Sequence, residues 1–236
     1  MTDTTDLQST PRGATPARDW VKTLAGYRDP NQLRSAFELG ATVIPFVILW
    51  ALAWWSLSVS YWLAFGISLF NAAFLLRLFA IQHDCGHGAF LPNRTFSDWI
   101  GRVMGVVTLT PYDVWRRTHS VHHSATGNLD KRGMGDVHTL TVAEYRALGP
   151  FQRLVYRLYR NPVVLFGLGP SYLFLLQNRV PLGLMDSAKY WVSAMLTNLA
   201  IAAALLTIWY FGGWQPLLLI FLPTTLLAAT IGVWLF

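Results

Sequence analysis

The chain carries two long stretches without a single charge, separated by one polar, basic stretch. No Asp, Glu, Lys or Arg occurs over 39–76, and none follows Lys189. A bilayer-spanning helix needs roughly 20 apolar residues, so each uncharged stretch accommodates two spans. The first divides at Trp54-Trp55-Ser56-Leu57-Ser58-Val59-Ser60-Tyr61-Trp62, where aromatics bracket serines as at a water interface. This predicts spans over 39–58 and 61–82. The second divides at Gly212-Gly213-Trp214, which predicts a third span over 190–211. A fourth begins at Pro216, a favourable first helical residue, and runs to Phe236. The expectation is an all-α polytopic membrane protein with four transmembrane helices and a large polar loop over 83–189. Residues 37–236 make the membrane domain, and 1–36 a flexible polar tail and interface approach. Residues 1–18, rich in Thr, Asp, Pro and Arg, have no apolar run and do not read as a secretory signal.

The loop has patches of its own. The apolar run 99–110 is too short to span and is expected to break at Gly101 and Gly105. Arg153, Arg157 and Arg160 oppose Leu154, Val155 and Leu158, which predicts an amphipathic helix in the headgroup region. Residues 163–176 are apolar but interrupted by Gly167, Gly169 and Pro170, as in a buried or re-entrant segment. Arg77, the one charge inside a span, is expected to snorkel to the interface.

Charge orients this scheme. Of 18 Lys and Arg residues, five precede the first span and twelve lie over 94–189, while the two short turns have none. The positive-inside rule then puts the N-terminus and the loop in the cytoplasm. The net charge of +6 reflects that gathering and does not signal nucleic acid. A single cysteine, Cys85, excludes an intramolecular disulfide framework.

Five of the six histidines fall in two clusters: His83-Asp84-Cys85-Gly86-His87 and His119-Ser120-Val121-His122-His123. His83 and His87 share a helix face at i, i+4, and His119, His122 and His123 at i, i+3, i+4. The first cluster sits at the mouth of the second span and the second in the loop, both on the cytoplasmic side. Such convergence points to a metal site. Imidazole suits Zn, Cu, Fe and Ni, and a structural zinc site closes at four ligands. Five histidines exceed that, which argues for two metals or one of higher coordination. Asp84, Asp113, Asp130 and Asp136 are candidates to fix the imidazole tautomers. Cys85, two residues from each neighbouring histidine, points away from their face and is read as small-residue packing. His138 stands alone and is not counted as a ligand.

The two boxes in this topology resemble the membrane fatty acid desaturases. His83-Asp-Cys-Gly-His87-Gly-Ala-Phe is close to the first histidine box of acyl-lipid, methyl-end members. Thr118-His119-Ser-Val-His122-His123-Ser-Ala-Thr-Gly-Asn-Leu-Asp130 is similar to the second box of bacterial Δ12-like (omega-6-like) members. The resemblance runs from about residue 35 onward and implies an integral protein of the bacterial inner membrane. It further implies two non-haem iron ions, O2 as co-substrate, and His83, His87, His119, His122 and His123 as iron ligands. No catalytic residue beyond these ligands is implied. The implied reaction introduces a cis double bond into a lipid acyl chain held in a tunnel between spans and loop. Electrons would come from a ferredoxin- or cytochrome-type donor. A hydroxylase, acetylenase or ketolase of the same superfamily would use the same boxes. A non-catalytic, desaturase-like membrane protein is the alternative from another class, and a metal transporter a third.

The family also carries a third box, H-x2-H-H, beyond the fourth span, and a further histidine upstream of it. No histidine follows His138. The chain stops at Trp234-Leu235-Phe236 with no polar flank, which reads as a C-terminal truncation. The expectation is an incomplete site and no turnover by these 236 residues alone.

Overall fold

A computed structural model describes residues 24–25, 29–133 and 137–235. The expected tail, Asp136 and the last residue of the fourth span therefore lie wholly or largely outside the described residues. No strand occurs among the described residues, and four helices are long and apolar enough to cross a membrane. They are α1 (Gln32–Ser56), α2 (Tyr61–His87), α8 (Ala188–Gly212) and α9 (Trp214–Leu235).

The spans start where caps allow and stop where the backbone must turn. Asn31 accepts from the Arg34 amide, so α1 begins before the apolar run. Ser60 caps α2 by accepting from the Leu63 amide. The expected end of α2 at 82 falls short, because the helix continues to His87 and stops at Gly88 with φ +73. Nothing over 83–87 breaks a helix, whereas Gly88 takes the left-handed conformation that side chains disfavour. A Cβ there would also collide with Arg94. Arg77 finds a partner across the helix pair: it donates to Glu38 at 2.8 Å and to Thr42 at 3.3 Å.

The loop is mostly helical. It holds α3 (Arg94–Val107), α4 (Tyr112–Ala125), α5 (Val142–Ala147), α6 (Pro150–Tyr159) and α7 (Gly169–Leu175). The expected break at Gly101 and Gly105 does not occur, and α3 runs through both. Their hydrogens make room for a neighbour: a Cβ on Gly101 would strike the Tyr112 ring, and one on Gly105 would lie 2.5 Å from the Thr110 carbonyl. The amphipathic α6 forms as expected, with Phe151, Leu154, Val155 and Leu158 exposed and Arg160 as its C-terminal cap. Residues 163–176 wind into one wide turn, Val164–Leu168, followed by α7; Pro170 is buried, but Val163, Leu168, Tyr172 and Leu176 are exposed, so the segment is not buried as a whole within the protein.

Central helix α2 packs against α1, α3 and α9. The core gathers along it from Ala72 to Cys85, joined by Phe90, Met104, Tyr112 and Ala228. Cys85 is fully buried there, in keeping with packing rather than ligation. Polar ties cross between spans, where small hydroxyls and amides let helices approach. Asn71 donates to the Phe46 carbonyl at 3.3 Å and Thr224 to the Ser68 carbonyl at 2.9 Å.

Candidate metal centre

The last turn of α2 and the middle of α4 bring four imidazoles face to face. One ring nitrogen from each of His83, His87, His119 and His123 lies within 4.8 Å of all the others. The Nε2 atoms form a chain: His83 to His87 at 3.2 Å, His87 to His119 at 3.1 Å, His119 to His123 at 3.0 Å. Two Nε2 atoms so close cannot both carry protons, so at least one of each pair presents a lone pair, and with the protons on Nδ1 all four can do so. That donor set fits a cation. Zinc-type M–N bonds run about 2.0–2.1 Å, so nitrogens on one ion can be at most about 4.2 Å apart. The group is slightly wider than that and needs only a small contraction.

His122 stands beside the four rather than among them. Its ring lies 6.2 Å from that of His119 and 5.8 Å from that of His123, and it lines the adjoining cavity. His138 lies apart, next to Tyr156 and Tyr159. Asp84 is 3.4 Å from His83 Nδ1, close to the reach needed to fix its tautomer. Asp113 is occupied by Arg102, and Asp130 sits in an exposed turn.

Burial decides the charge state at the centre. His119 is buried, and desolvation, then the neighbouring His83, His123, His87 and His122, push its pKa down to about 4. A neutral imidazole is the form that binds metal. Trp115, one turn before it, lies flat on its ring, with centroids 4.6 Å apart and planes at 16°. Gly86 makes this possible, since a Cβ there would sit 2.7 Å from the indole.

Helix α4 is held in place by polar braces on two sides. Toward α3, Arg102 grips Asp113 through two bonds of 3.0 and 3.2 Å. Asp98 accepts from Tyr112 at 2.6 Å and from Arg116 at 3.1 Å. Burial and then Asp98 raise the Tyr112 pKa, keeping its hydroxyl a donor. Toward α2, buried Gln82 holds the turn that launches α4: it accepts from Thr108 at 2.6 Å and donates to the Thr110 carbonyl at 3.3 Å. Between those threonines Leu109 adopts φ +56, a conformation that costs about 1–3 kcal/mol in a bulky residue. Arg179 and Asn178 both donate to its carbonyl, and Arg179 is itself tied to Asn198 on α8 at 2.9 Å. Sequence reasoning missed Gln82, Trp115 and Arg179. A polar residue directly before His83, at the end of an apolar span, was the available signal for the first.

A cavity of about 790 Å³ opens beside the centre. His119, His122 and Trp115 line it, and Leu75, Phe79, Leu173 and Ala229 are among the apolar residues of its walls.

Comparison with known proteins agrees with this geometry. Residues 60–236 match the fatty acid desaturase family model. A fatty acid desaturase of Bacillus subtilis is 44% identical over 216 residues, covering 92% of this chain and 61% of that protein. An sn-1 acyl-lipid omega-3 desaturase (ferredoxin) of Synechocystis is 35% identical over 108 residues, covering 45% of this chain and 28% of the relative. An sn-1 oleoyl-lipid 12-desaturase of Arthrospira platensis is 27% identical over 130 residues, covering 55% and 36%. The four apolar helices, the histidine cluster and the family match together make this chain a member of the fatty acid desaturase family, a class of membrane oxidoreductases. It spans less than two thirds of the length of each of these relatives.

Proposed function

We propose that the chain contributes the first two histidine boxes of an O2-dependent acyl-lipid desaturase. The observation carrying this reading is that the group of four converging imidazoles meets a largely apolar cavity through His119, with His122 beside it in the cavity lining. Its volume lies within the range of small-molecule sites, and its walls suit an aliphatic chain that must stay out of water. His83, His87, His119 and His123 would hold iron, with His122 as the fifth candidate donor on the cavity side. When bound, the two irons would activate O2 with two electrons from an external donor. Overall, a CH2–CH2 unit gives up two hydrogens, the donor and solvent supply two electrons and two protons, and O2 leaves as two waters.

The chain's own residues prepare that reaction. Asp84 orients His83, burial keeps His119 neutral, and Trp115 screens the His119 ring. The cavity positions the CH2–CH2 unit beside His119 and His122. The ferredoxin named for the Synechocystis relative supports a donor of that type. The Δ12-like position suggested by the box flanks belongs to the same proposal, as do the bacterial inner membrane and the cytoplasmic orientation of both boxes. Five histidines are too few to saturate two irons, so the 236 residues alone are expected to bind iron without turnover.

The test is a chimaera in which these residues replace the matching part of the Bacillus relative, produced in cells whose membrane lipids are then analysed. The proposal expects a new cis double bond in lipid acyl chains, abolished by His83→Ala. A folded, iron-loaded chimaera yielding only hydroxylated or unchanged chains would overturn it. An iron-free chimaera would favour the non-catalytic alternative.

A further inference from the structure

A second chamber lies deeper along the same helices and shares a wall with the first. Its volume is about 330 Å³, and its lining is apolar apart from Thr224 and Thr225. Thr224 spends its hydroxyl on the Ser68 carbonyl. Buried water needs two to four polar partners, and this chamber does not offer them. An aliphatic chain suits such a lining.

The two spaces follow one another along two separate elements. On α9, Phe221, Thr224 and Thr225 face the second chamber, while Thr225, Ala228, Ala229 and Gly232 face the first. These positions recur at helical spacing and form one continuous stripe roughly 16 Å long at helical rise. In the loop segment, Val106, Val107 and Leu109 line the second chamber and Thr108, Thr110 and Pro111 the first. Leu75 of α2 and Thr225 of α9 line both and make the sill between them.

We infer that the acyl chain passes over the Leu75–Thr225 sill and that its methyl end lodges in the second chamber, beside Trp50, Val107 and Ile208. This rests on the first cavity being the acyl site, and adds where the chain ends. How far the chain enters the second chamber then sets which CH2–CH2 bond lies beside the histidines. Leu75 and Thr225 are specificity-determining residues: bulk at either one stops the chain early.

Photolabelling of the purified 236-residue chain tests this without any turnover. Two octadecanoic acid probes are used, one with a diazirine at mid-chain and one with it next to the methyl end. Labelled peptides are mapped by mass spectrometry. The mid-chain probe should mark the first cavity, for example Leu173, and the terminal probe Trp50, Val107 or Ile208. Leu75→Trp, or Thr225→Leu if that variant does not fold, should move the terminal label back into the first cavity while mid-chain labelling persists. Terminal labelling confined to the first cavity in the unsubstituted protein overturns the inference and leaves the acyl site standing. So does second-chamber labelling that neither substitution alters, because the occupant is then a bilayer tail entering from the side. If neither probe marks the first cavity, the acyl-site reading itself fails.

Discussion

The two histidine boxes reach the same centre by different means. His83 and His87 ride on the end of a continuous membrane helix, and their spacing is a property of that helix alone. His119, His122 and His123 ride on fourteen-residue α4, which owes its position to ion pairs, a strained turn and two amide clamps from other elements. The first box is therefore robust to loss of any one neighbour, whereas the second depends on its braces. A metal site assembled from both is only as well defined as the more dependent half.

The largest effect should come from removing the histidine at the middle of the group. His119→Ala deletes the imidazole that contacts both His87 and His123, and should lower metal affinity at least as much as the ~100-fold upper end for outer-shell losses. Equilibrium dialysis against Fe(II) or Co(II) reads this, and unchanged affinity would remove His119 from the centre. Next comes Gln82→Leu, which leaves the buried Thr108 hydroxyl without its acceptor, at about 1–3 kcal/mol. Metal affinity should fall about 10–100-fold, and Gln82→Glu, which keeps the acceptor, should recover part of it. If Gln82→Leu lowers only the melting temperature, the clamp stabilises the fold without setting the site.

A smaller effect is expected at the half-exposed brace. Arg102→Ala breaks a two-bond pair whose arginine is 36% exposed, so solvent screening limits the loss to about 1 kcal/mol. Metal binding should weaken, and the His119→Ala background should show little further change, since the brace acts through the second box. The smallest effect is the pH response of the metal-free protein. His119 titrates near 4 when folded and near its ordinary 6.5 when unfolded, so the unfolded state binds more protons between those values. Stability from this group is complete above about pH 6.5 and declines as pH falls toward 4. Melting curves in detergent at pH 7.5 and 4.5 should show the decline, reduced in His119→Phe. A steeper decline in His119→Phe would contradict it.

The contrast between the boxes also marks what could be read from sequence. Spans were legible because charge is excluded from hydrocarbon, and that constraint leaves stretches such as 39–76 free of it. The convergence of His83 with His87 was legible because helical periodicity alone dictates it. Span ends were misplaced by several residues, since hydropathy falls at the membrane edge while the hydrogen-bonded helix continues until Gly88 stops it. Gly101 and Gly105 read as breaks in the sequence because their packing partners, Tyr112 and Thr110, meet them only once α3 and α4 fold together. Gln82, Trp115 and Arg179 act across tertiary contacts, Arg179 on a residue 70 positions away, and no local pattern announces such a pair.

The flat contact of Trp115 on His119 makes the centre optically legible. An indole stacked on an imidazole shares its fate, and metal binding there changes the ring that the fluorophore touches. Among the tryptophans of the described residues, Trp115 is the one stacked on a histidine of the centre, and its emission should report occupancy directly. The difference between the protein and its Trp115→Phe variant isolates that signal, so the filling of the centre can be followed in intact membranes as a colourless titration.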